Sequence, residues 1–214
     1  LKKLEAHRFQ PMLNETTRGY FALRARQEGD SALGKAMRAW LANEQDGAAA
    51  DAIEASELET GFTRTRCVAT MLNGGHADNA LPQSAKATVN CRIMPGINPD
   101  AVMAELKGIV GAEVEVAKDP NYAGRPTPVS PHRADVAKAY QDAVTALNGK
   151  GIPVAPYMSA GATDGAFFRE VGMPVYGMDG SWVISPEDER AHGLDERMPV
   201  RAVYDNVLFW EMVL

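Results

Sequence analysis

The sequence predicts a chain that is α+β in its first part and α/β in its second. Three observations lead to this prediction. Helical periods fill residues 1–60, strands of alternating polarity follow from residue 63, and short strands alternate with helices after residue 131. A stretch with three prolines, 121–131, separates the two parts and is the best linker in the chain.

Composition limits the classes of protein to consider. The chain has 214 residues, of which 45% are hydrophobic and 23% charged, as is typical of a folded globular protein. It has no apolar run of about 18 residues, so we expect no membrane span. The net charge of −6, without a long basic stretch, argues against nucleic acid as a partner. Two cysteines are too few for a disulfide scaffold or a four-cysteine zinc ribbon.

Three helices are predicted in the first part, at 16–27, 31–43 and 46–58. In the second of them Met37 and Trp40 lie on one face, and a tryptophan at this spacing is more typical of packing than of ligand binding. No residue of these helices points to a particular chemistry.

Two antiparallel strands are predicted next, at 63–72 and 84–94. Odd positions of the second strand are apolar and even positions polar, which is the period of a half-buried strand. The segment 73–83 is too long for a tight turn and is predicted to be a shaped loop. A helix opened by Asn98, a cap followed by proline, leads to a third strand at 113–117.

The second part opens with a helix at 130–148, which has a serine cap and proline at its first position. A helix at 163–171 follows, between short strands at 154–158 and 174–178, and a helix at 200–214 closes the chain. The order of strand, loop, helix and strand indicates parallel strands. The segment is too short for a full doubly wound domain, so we interpret it as the carboxyl-terminal part of one.

His192 is the histidine best placed for chemistry. It lies in the loop before the last helix, in the region where open α/β sheets bind ligands, and a neutral imidazole is a good transition-metal ligand. An ordinary loop histidine is the alternative, because one histidine does not make a metal site. His7 and His132 are typical of solvated positions, and His76 with Asp78 has no third ligand nearby.

Small and polar residues in two other places could hold a substrate. The turn at 159–165 joins a strand to a helix start, where free amides favour an anion, although a simple turn capped by Thr163 explains the pattern equally well. Arg92 lies on the polar face of its strand, where a guanidinium could clamp a carboxylate. Asn79 in the preceding loop could present a hydrogen-bonding amide. An exposed arginine without a ligand is the usual alternative.

The cysteines and serines give little support for nucleophilic catalysis. Ser159 and Ser181 have no histidine and acid close to them in the sequence. Folding the hairpin about residue 79 brings Cys67 and Cys91 roughly opposite each other. We interpret them as buried reduced thiols that act as small hydrophobic residues.

Four blocks of residues have the order found in one enzyme family. They are Asn-Ala-Leu-Pro at 79–82 with Ala-Thr-Val-Asn-Cys-Arg-Ile-Met-Pro-Gly at 87–96, Gly-Ala-Thr-Asp-Gly at 161–165 with Phe-Phe-Arg at 167–169, Gly-Met-Pro-Val-Tyr-Gly at 172–177, and His-Gly-Leu-Asp-Glu-Arg at 192–197. Together they resemble the two-metal aminoacylase and carboxypeptidase family of metallopeptidases, which includes acetylornithine deacetylase, succinyl-diaminopimelate desuccinylase and glutamate carboxypeptidase.

The resemblance implies a catalytic α/β domain interrupted by a lid, a ferredoxin-like sheet with a helical insert that also forms a homodimer. Residues 1–121 would be the lid or dimerisation domain without its amino-terminal part, and 122–214 the carboxyl-terminal portion of the catalytic domain. The implied activity is zinc-dependent hydrolysis of the amide bond of an N-acyl amino acid or small peptide. Two zinc ions are implied per active site, with cobalt or manganese as alternatives, and the compartment stays open between cytoplasm and periplasm.

The resemblance also implies roles for individual residues. His192 would be the last metal ligand. Five residues would bind substrate: Asn79, Arg92, Gly161, Ala162 and Thr163. Asn79 would reach the active site of the partner subunit. The other metal ligands and the general-base glutamate are not in this chain, so we expect no catalytic residue in it and no hydrolysis by it alone. A non-enzymatic homodimerisation or binding module is the alternative.

Overall fold

The computed structural model describes residues 1–120, 127–185 and 187–214. These residues form a mixed α/β fold with eight helices and one two-stranded antiparallel sheet. The chain divides into two compact units, one of Leu1–Val129 with Ala155–Gly172 and one of Ser130–Val154 with Met173–Leu214. The predicted boundary after residue 121 lies outside the described residues.

Both strands of the described residues lie in the first unit. The strands are β1 (Arg66–Gly74) and β2 (Ala85–Arg92). The helices of the described residues are α1 (Lys2–Ala6), α2 (Glu15–Glu28), α3 (Ala32–Ala42), α4 (Gly47–Ile53), α5 (Pro99–Val110), α6 (Ala134–Asn148), α7 (Gly165–Glu170) and α8 (Val200–Val213).

Helices α2, α3 and α4 form the core of the first unit, and their prediction is confirmed, except that α4 ends at Ile53 and not at residue 58. Each begins at a side-chain cap: Asn14, Ser31 and Asp46 accept hydrogen bonds from backbone N–H groups of the first turn. Trp40 and Phe21 are fully buried between the helices, with their rings edge to face at 5.3 Å. Burial of these apolar faces holds the three helices together, and we name residues 15–60, which contain them, the helical insert.

The predicted pair of antiparallel strands is confirmed, but the state of its cysteines was predicted wrongly. Cys67 lies directly opposite Cys91 in the register, and the two form a disulfide with Cα atoms 4.0 Å apart. The hairpin pattern predicted the approximate pairing, whereas the observed register places the two cysteines directly opposite each other, with their sulfur atoms within bonding reach. Farther along β1 the register shifts between Ala69 and Met71, where one extra residue forms a bulge.

Three short strands that the sequence predicts do not form in the described residues, and these predictions were wrong. Residues 113–117 lie in a turn and in irregular backbone that no neighbouring strand pairs, and the segments 154–158 and 174–178 likewise make no ladder. Alternation of side chains is a local property, whereas a strand also needs a neighbouring backbone to accept its hydrogen bonds.

The start of α6 also differs from its prediction. The helix begins at Ala134 and not at residue 130, because the Ser130 hydroxyl binds elsewhere. It donates to the Val175 carbonyl at 2.8 Å and accepts from the Val175 N–H at 2.9 Å. Ser130 therefore links two segments of the second unit and caps no helix.

The second unit is built on the contact between α6 and α8. The Tyr140 and Phe209 rings meet edge to face at 5.3 Å, and Phe209 is fully buried. Asp205 of α8 accepts hydrogen bonds from Trp182 Nε1 at 3.0 Å and from Arg201 Nε at 2.7 Å. Within the described residues, no helix combines the length and the apolar character that a membrane span requires.

Candidate functional site

The turn at 159–165, which we name the substrate turn, is exposed at its centre. Gly161, Ala162 and Thr163 are all exposed, and the Gly161 N–H donates to Ser159 Oγ at 3.1 Å. The N-cap residue of α7 is Asp164, whose side chain makes no capping hydrogen bond. The alternative in which Thr163 caps the helix is therefore wrong. The three predicted substrate-binding residues of this turn are therefore open to solvent, and their role in binding substrate stays a prediction.

Arg92 ends strand β2 and reaches the substrate turn. Its Nη1 donates to the Ala160 carbonyl at 3.2 Å, across 68 positions of sequence. Arg66, its cross-strand neighbour, is anchored in the other direction by an ion pair of 2.6 Å between Nη2 and Glu54 Oε2. The fold thus brings together two parts of the predicted site, Arg92 and the substrate turn.

Asn79 lies in the loop between β1 and β2 and is exposed. The loop is held locally by a hydrogen bond of 3.4 Å from the Ala80 N–H to the Ala77 carbonyl. Among the described residues, no hydrogen bond joins Asn79 to Arg92 or to the substrate turn. Its assignment to the active site of a partner subunit stays a prediction.

His192 has an unusual backbone conformation. With φ at +65° it is the one non-glycine residue with positive φ in the described part of the chain. Its N–H donates to Glu196 Oε2 at 3.0 Å, and the Gly193 N–H donates to the Arg190 carbonyl at 2.8 Å, which closes the turn. Positive φ is uncommon for residues other than glycine, although Asn, Asp and His adopt it more often than the rest, and residues in this conformation cluster at functional sites.

The described residues do not by themselves fit a metal ion. No group of three or more His, Cys, Asp or Glu side chains in the described ranges converges on a point where a metal could bind. Zinc sites in proteins need three or four ligands, and His192 with its exposed side chain offers one. His76 and Asp78 are exposed in the hairpin loop and likewise belong to no such group.

A buried ionic cluster in the helical insert was missed by the sequence analysis. Glu59 is fully buried, and its Oε1 accepts from Arg24 Nε at 2.9 Å, while its Oε2 has no hydrogen-bond partner. Burial, reinforced by the charge and hydrogen bond of Glu59, raises the pKa of Tyr20 far above its usual value. Burial alone lowers the pKa of Arg24, but the hydrogen bond and charge of Glu59 outweigh it and raise that pKa.

A second ionic cluster ties the helical insert to β1. Arg64 is 5% exposed and pairs with Asp51 and with Glu54 at 2.6 Å each, and Arg66 pairs with the other oxygen of Glu54. No spacing in the sequence predicts either cluster, because the paired charges lie 10 (Arg64 and Glu54) to 35 (Arg24 and Glu59) positions apart. Both clusters hold the insert, and neither contacts the substrate turn by a hydrogen bond in the described residues.

The helical insert, the hairpin and α5 together match a known domain. The family model described as "Peptidase dimerisation domain" matches residues 23–118. The chain is 34% identical over 161 residues to the N-fatty-acyl-amino acid synthase/hydrolase PM20D1 of Homo sapiens, a match that covers 73% of the chain and 32% of that protein.

Two further relatives give the same result. The protein of the same name from Xenopus tropicalis is 30% identical over 162 residues, with 74% of the chain and 31% of the relative covered. A probable carboxypeptidase S-like 2 of Dictyostelium discoideum is 24% identical, with 64% and 26% covered. The chain belongs to the M20 family of metallopeptidases, which confirms the family predicted from the four blocks.

The chain spans about a third of the length of the curated relatives it matches. No solved structure matches it.

Proposed function

We propose that this chain is part of a metal-dependent hydrolase that cleaves the amide bond of an N-acyl amino acid or small peptide. Membership of the M20 family supports this proposal, as do relatives named for the hydrolysis of N-fatty-acyl amino acids or as carboxypeptidase-like. In this proposal residues 1–121 are the lid or dimerisation domain, and 122–214 are the carboxyl-terminal portion of the catalytic domain.

The observation that carries the proposal is the hydrogen bond from Arg92 Nη1 to the Ala160 carbonyl. It brings a guanidinium next to the exposed backbone of Gly161 and Ala162. A guanidinium has five N–H donors in a planar fork, so one donor can hold the turn while others bind a substrate carboxylate. The N-acyl amino acids and small peptides of the proposal carry such a carboxylate.

Zinc is the proposed metal, and His192 is proposed as one of its ligands. The left-handed backbone of His192 supports this role, since nothing in its local hydrogen bonding requires an imidazole there. The remaining ligands and the general base are proposed to come from polypeptide outside this chain. The 214-residue chain is accordingly proposed to be inactive by itself and to bind zinc weakly.

A homodimer through the lid domain is part of the proposal, and the description of the matched domain supports it. The same observation favours a second candidate function, a non-enzymatic homodimerisation or binding module. Both candidate functions require a homodimer, and sedimentation tests it. A monomeric chain at micromolar concentration argues against the dimeric enzyme and against the dimerisation module. Zinc-dependent hydrolysis separates the two candidates.

The test is complementation with the polypeptide encoded in frame upstream of Leu1. The two polypeptides are co-expressed, loaded with zinc and assayed for release of free amino acid from an N-acetyl and a long-chain N-acyl substrate. We expect hydrolysis by the mixture and none by the chain alone. His192→Asn should abolish zinc-dependent activity, because asparagine tolerates the left-handed backbone but replaces the imidazole.

The matched control is His132→Asn, which makes the same replacement at an exposed histidine outside the proposed site. It should leave activity within twofold of the unchanged mixture, taken as about the scatter of such measurements. Full zinc-dependent activity of His192→Asn contradicts the metal-ligand proposal. A mixture that dimerises but hydrolyses neither substrate supports the binding module.

A further inference from the structure

The Cys67–Cys91 disulfide lies one residue before Arg92, the side chain that contacts the substrate turn. We propose that this disulfide positions Arg92 against Ala160, so that the redox state of the cysteine pair sets the order of the substrate turn. The inference rests on the proposed function only in naming that turn as substrate-binding. The geometric relationship between the cysteine pair and the turn is independent of any activity.

Apart from the disulfide, the hairpin is weakly held. The described sheet has two strands, and its register is broken by the bulge between Ala69 and Met71. Beyond the bulge the apolar side chains of Met71 and Leu72 are 57% and 65% exposed. Two-stranded hairpins are marginal in water, so a covalent bond between the strands contributes much of the order of this one.

The disulfide lies at the open end of the hairpin, where β1 begins and β2 ends. The pair Arg66 and Arg92 lies directly beyond the disulfide, and each arginine points to a different anchor. Arg66 binds Glu54 of the insert, and Arg92 binds the Ala160 carbonyl. The disulfide fixes these two strand ends side by side. Because Arg66 is anchored to the helical insert, the disulfide also holds Arg92 at a fixed position relative to the insert.

The switch acts by reduction of the disulfide to two thiols. Both cysteines are partly exposed, so a dithiol reductant of the thioredoxin or dithiothreitol class can reach the bond. A thiolate of the reductant attacks one sulfur, the other cysteine leaves as a thiolate, and the second thiol of the reductant releases the mixed disulfide. In total two electrons and two protons pass to Cys67 and Cys91, and the reductant becomes a cyclic disulfide.

The test is amide hydrogen exchange of peptides that cover 159–166, on the 214-residue chain before and after reduction by dithiothreitol. Mass spectrometry first establishes the bond as a gain of two hydrogen atoms on reduction. We expect exchange in the substrate turn to become about fivefold faster after reduction, as expected for loss of one net hydrogen bond. Exchange in α6, which belongs to the other unit, should not change.

Variants separate positioning from general weakening of the sheet. Arg92→Met in the oxidised chain should speed exchange of the turn about fivefold while the hairpin amides stay protected. Arg92→Lys keeps a donor for the Ala160 carbonyl and should restore part of the protection. Cys67→Ser/Cys91→Ser should behave like the reduced chain and should not respond to dithiothreitol.

Three results overturn the inference. The first is that the air-oxidised chain is found to have two free thiols. The second is that reduction leaves the hydrogen exchange of the substrate turn unchanged. The third is that Arg92→Met leaves this exchange unchanged. The first shows that the bond does not form, and the other two show that it does not act on the turn. None of these results bears on hydrolysis, so failure of the disulfide to position Arg92 and failure of the proposed function are distinguishable.

Discussion

Arg92 and Ala160 are joined by a hydrogen bond of 3.2 Å, although 68 positions separate them in the chain. The bond attaches the end of strand β2 to a segment that follows α6 in sequence. Residues 155–172 accordingly belong to the same compact unit as residues 1–129. The compact units of this chain are therefore not continuous in sequence, because the chain leaves the first unit and returns to it.

The disulfide should contribute strongly to stability. It closes a loop of 24 residues, and the loss of unfolded-state entropy for that length corresponds to about 3 kcal/mol. We expect Cys67→Ser/Cys91→Ser to lower the free energy of unfolding by about this amount in urea titrations. Identical urea midpoints for the oxidised and reduced chains would show that the bond has no such role.

The buried carboxylate of Glu59 should depend on Arg24. Arg24→Met leaves a fully buried charge without its partner, which costs about 3–5 kcal/mol in comparable cases. The double variant Arg24→Met/Glu59→Met removes both charges and should recover most of that loss. Thermal and urea unfolding of the two variants measure the difference.

The control for this prediction is another arginine of α2. Arg18 pairs with Glu44 at 2.8 Å, and both side chains are 48% exposed. Exposed pairs contribute about 0–1 kcal/mol, so Arg18→Met should have a small effect. Equal losses for Arg18→Met and Arg24→Met contradict the assigned role of burial.

The carboxylate of Asp205 should make the second unit sensitive to acid. Hydrogen bonds from Arg201 and then Trp182 hold the pKa of Asp205 below its usual range, so the folded state prefers the ionised form. Its stabilisation is present above the unfolded-state value of about 3.9 and is lost as the pH falls through the lower folded value.

Asp205→Asn should therefore reduce the loss of stability at acid pH, that is, the acid limb of the curve of stability against pH. Thermal unfolding between neutral pH and about pH 2 measures this curve. Asp142→Asn replaces an exposed carboxylate of α6 and serves as the control. It should leave the acid limb close to that of the unchanged chain. An acid limb that is the same with and without the Asp205 carboxyl shows that this group does not control it.

Gly180 should tolerate no side chain. A Cβ added there would lie 2.2 Å from Phe209 Cβ, and Phe209 is fully buried. Gly180→Ala must push α8 outward and should cost about 1–3 kcal/mol, as overpacked cores do. Gly177→Ala meets no atom within 4 Å and should be nearly neutral. Chemical unfolding of the two variants checks the contrast.

Local interactions made a large part of the fold predictable. Each helix of the insert begins at a capping side chain, and its apolar residues recur at the helical period. The alternation along β2 and the loop before it gave the antiparallel pair. These signals act within one or two turns of chain, so the sequence displays them directly. The four motif blocks identified the family for the same reason, since each is a contiguous run.

Tertiary structure decided what depends on distant residues. Residues 113–117 alternate like a strand but lack a partner among the described residues, because a ladder needs a second backbone that the pattern cannot supply. Only the register showed that Cys67 and Cys91 bond, and only the fold buried Glu59 beside Arg24. The contact between Arg92 and Ala160 arises in the same way. Periodicity and caps are short-range properties, whereas register, burial and charge pairing are set by the whole folded chain.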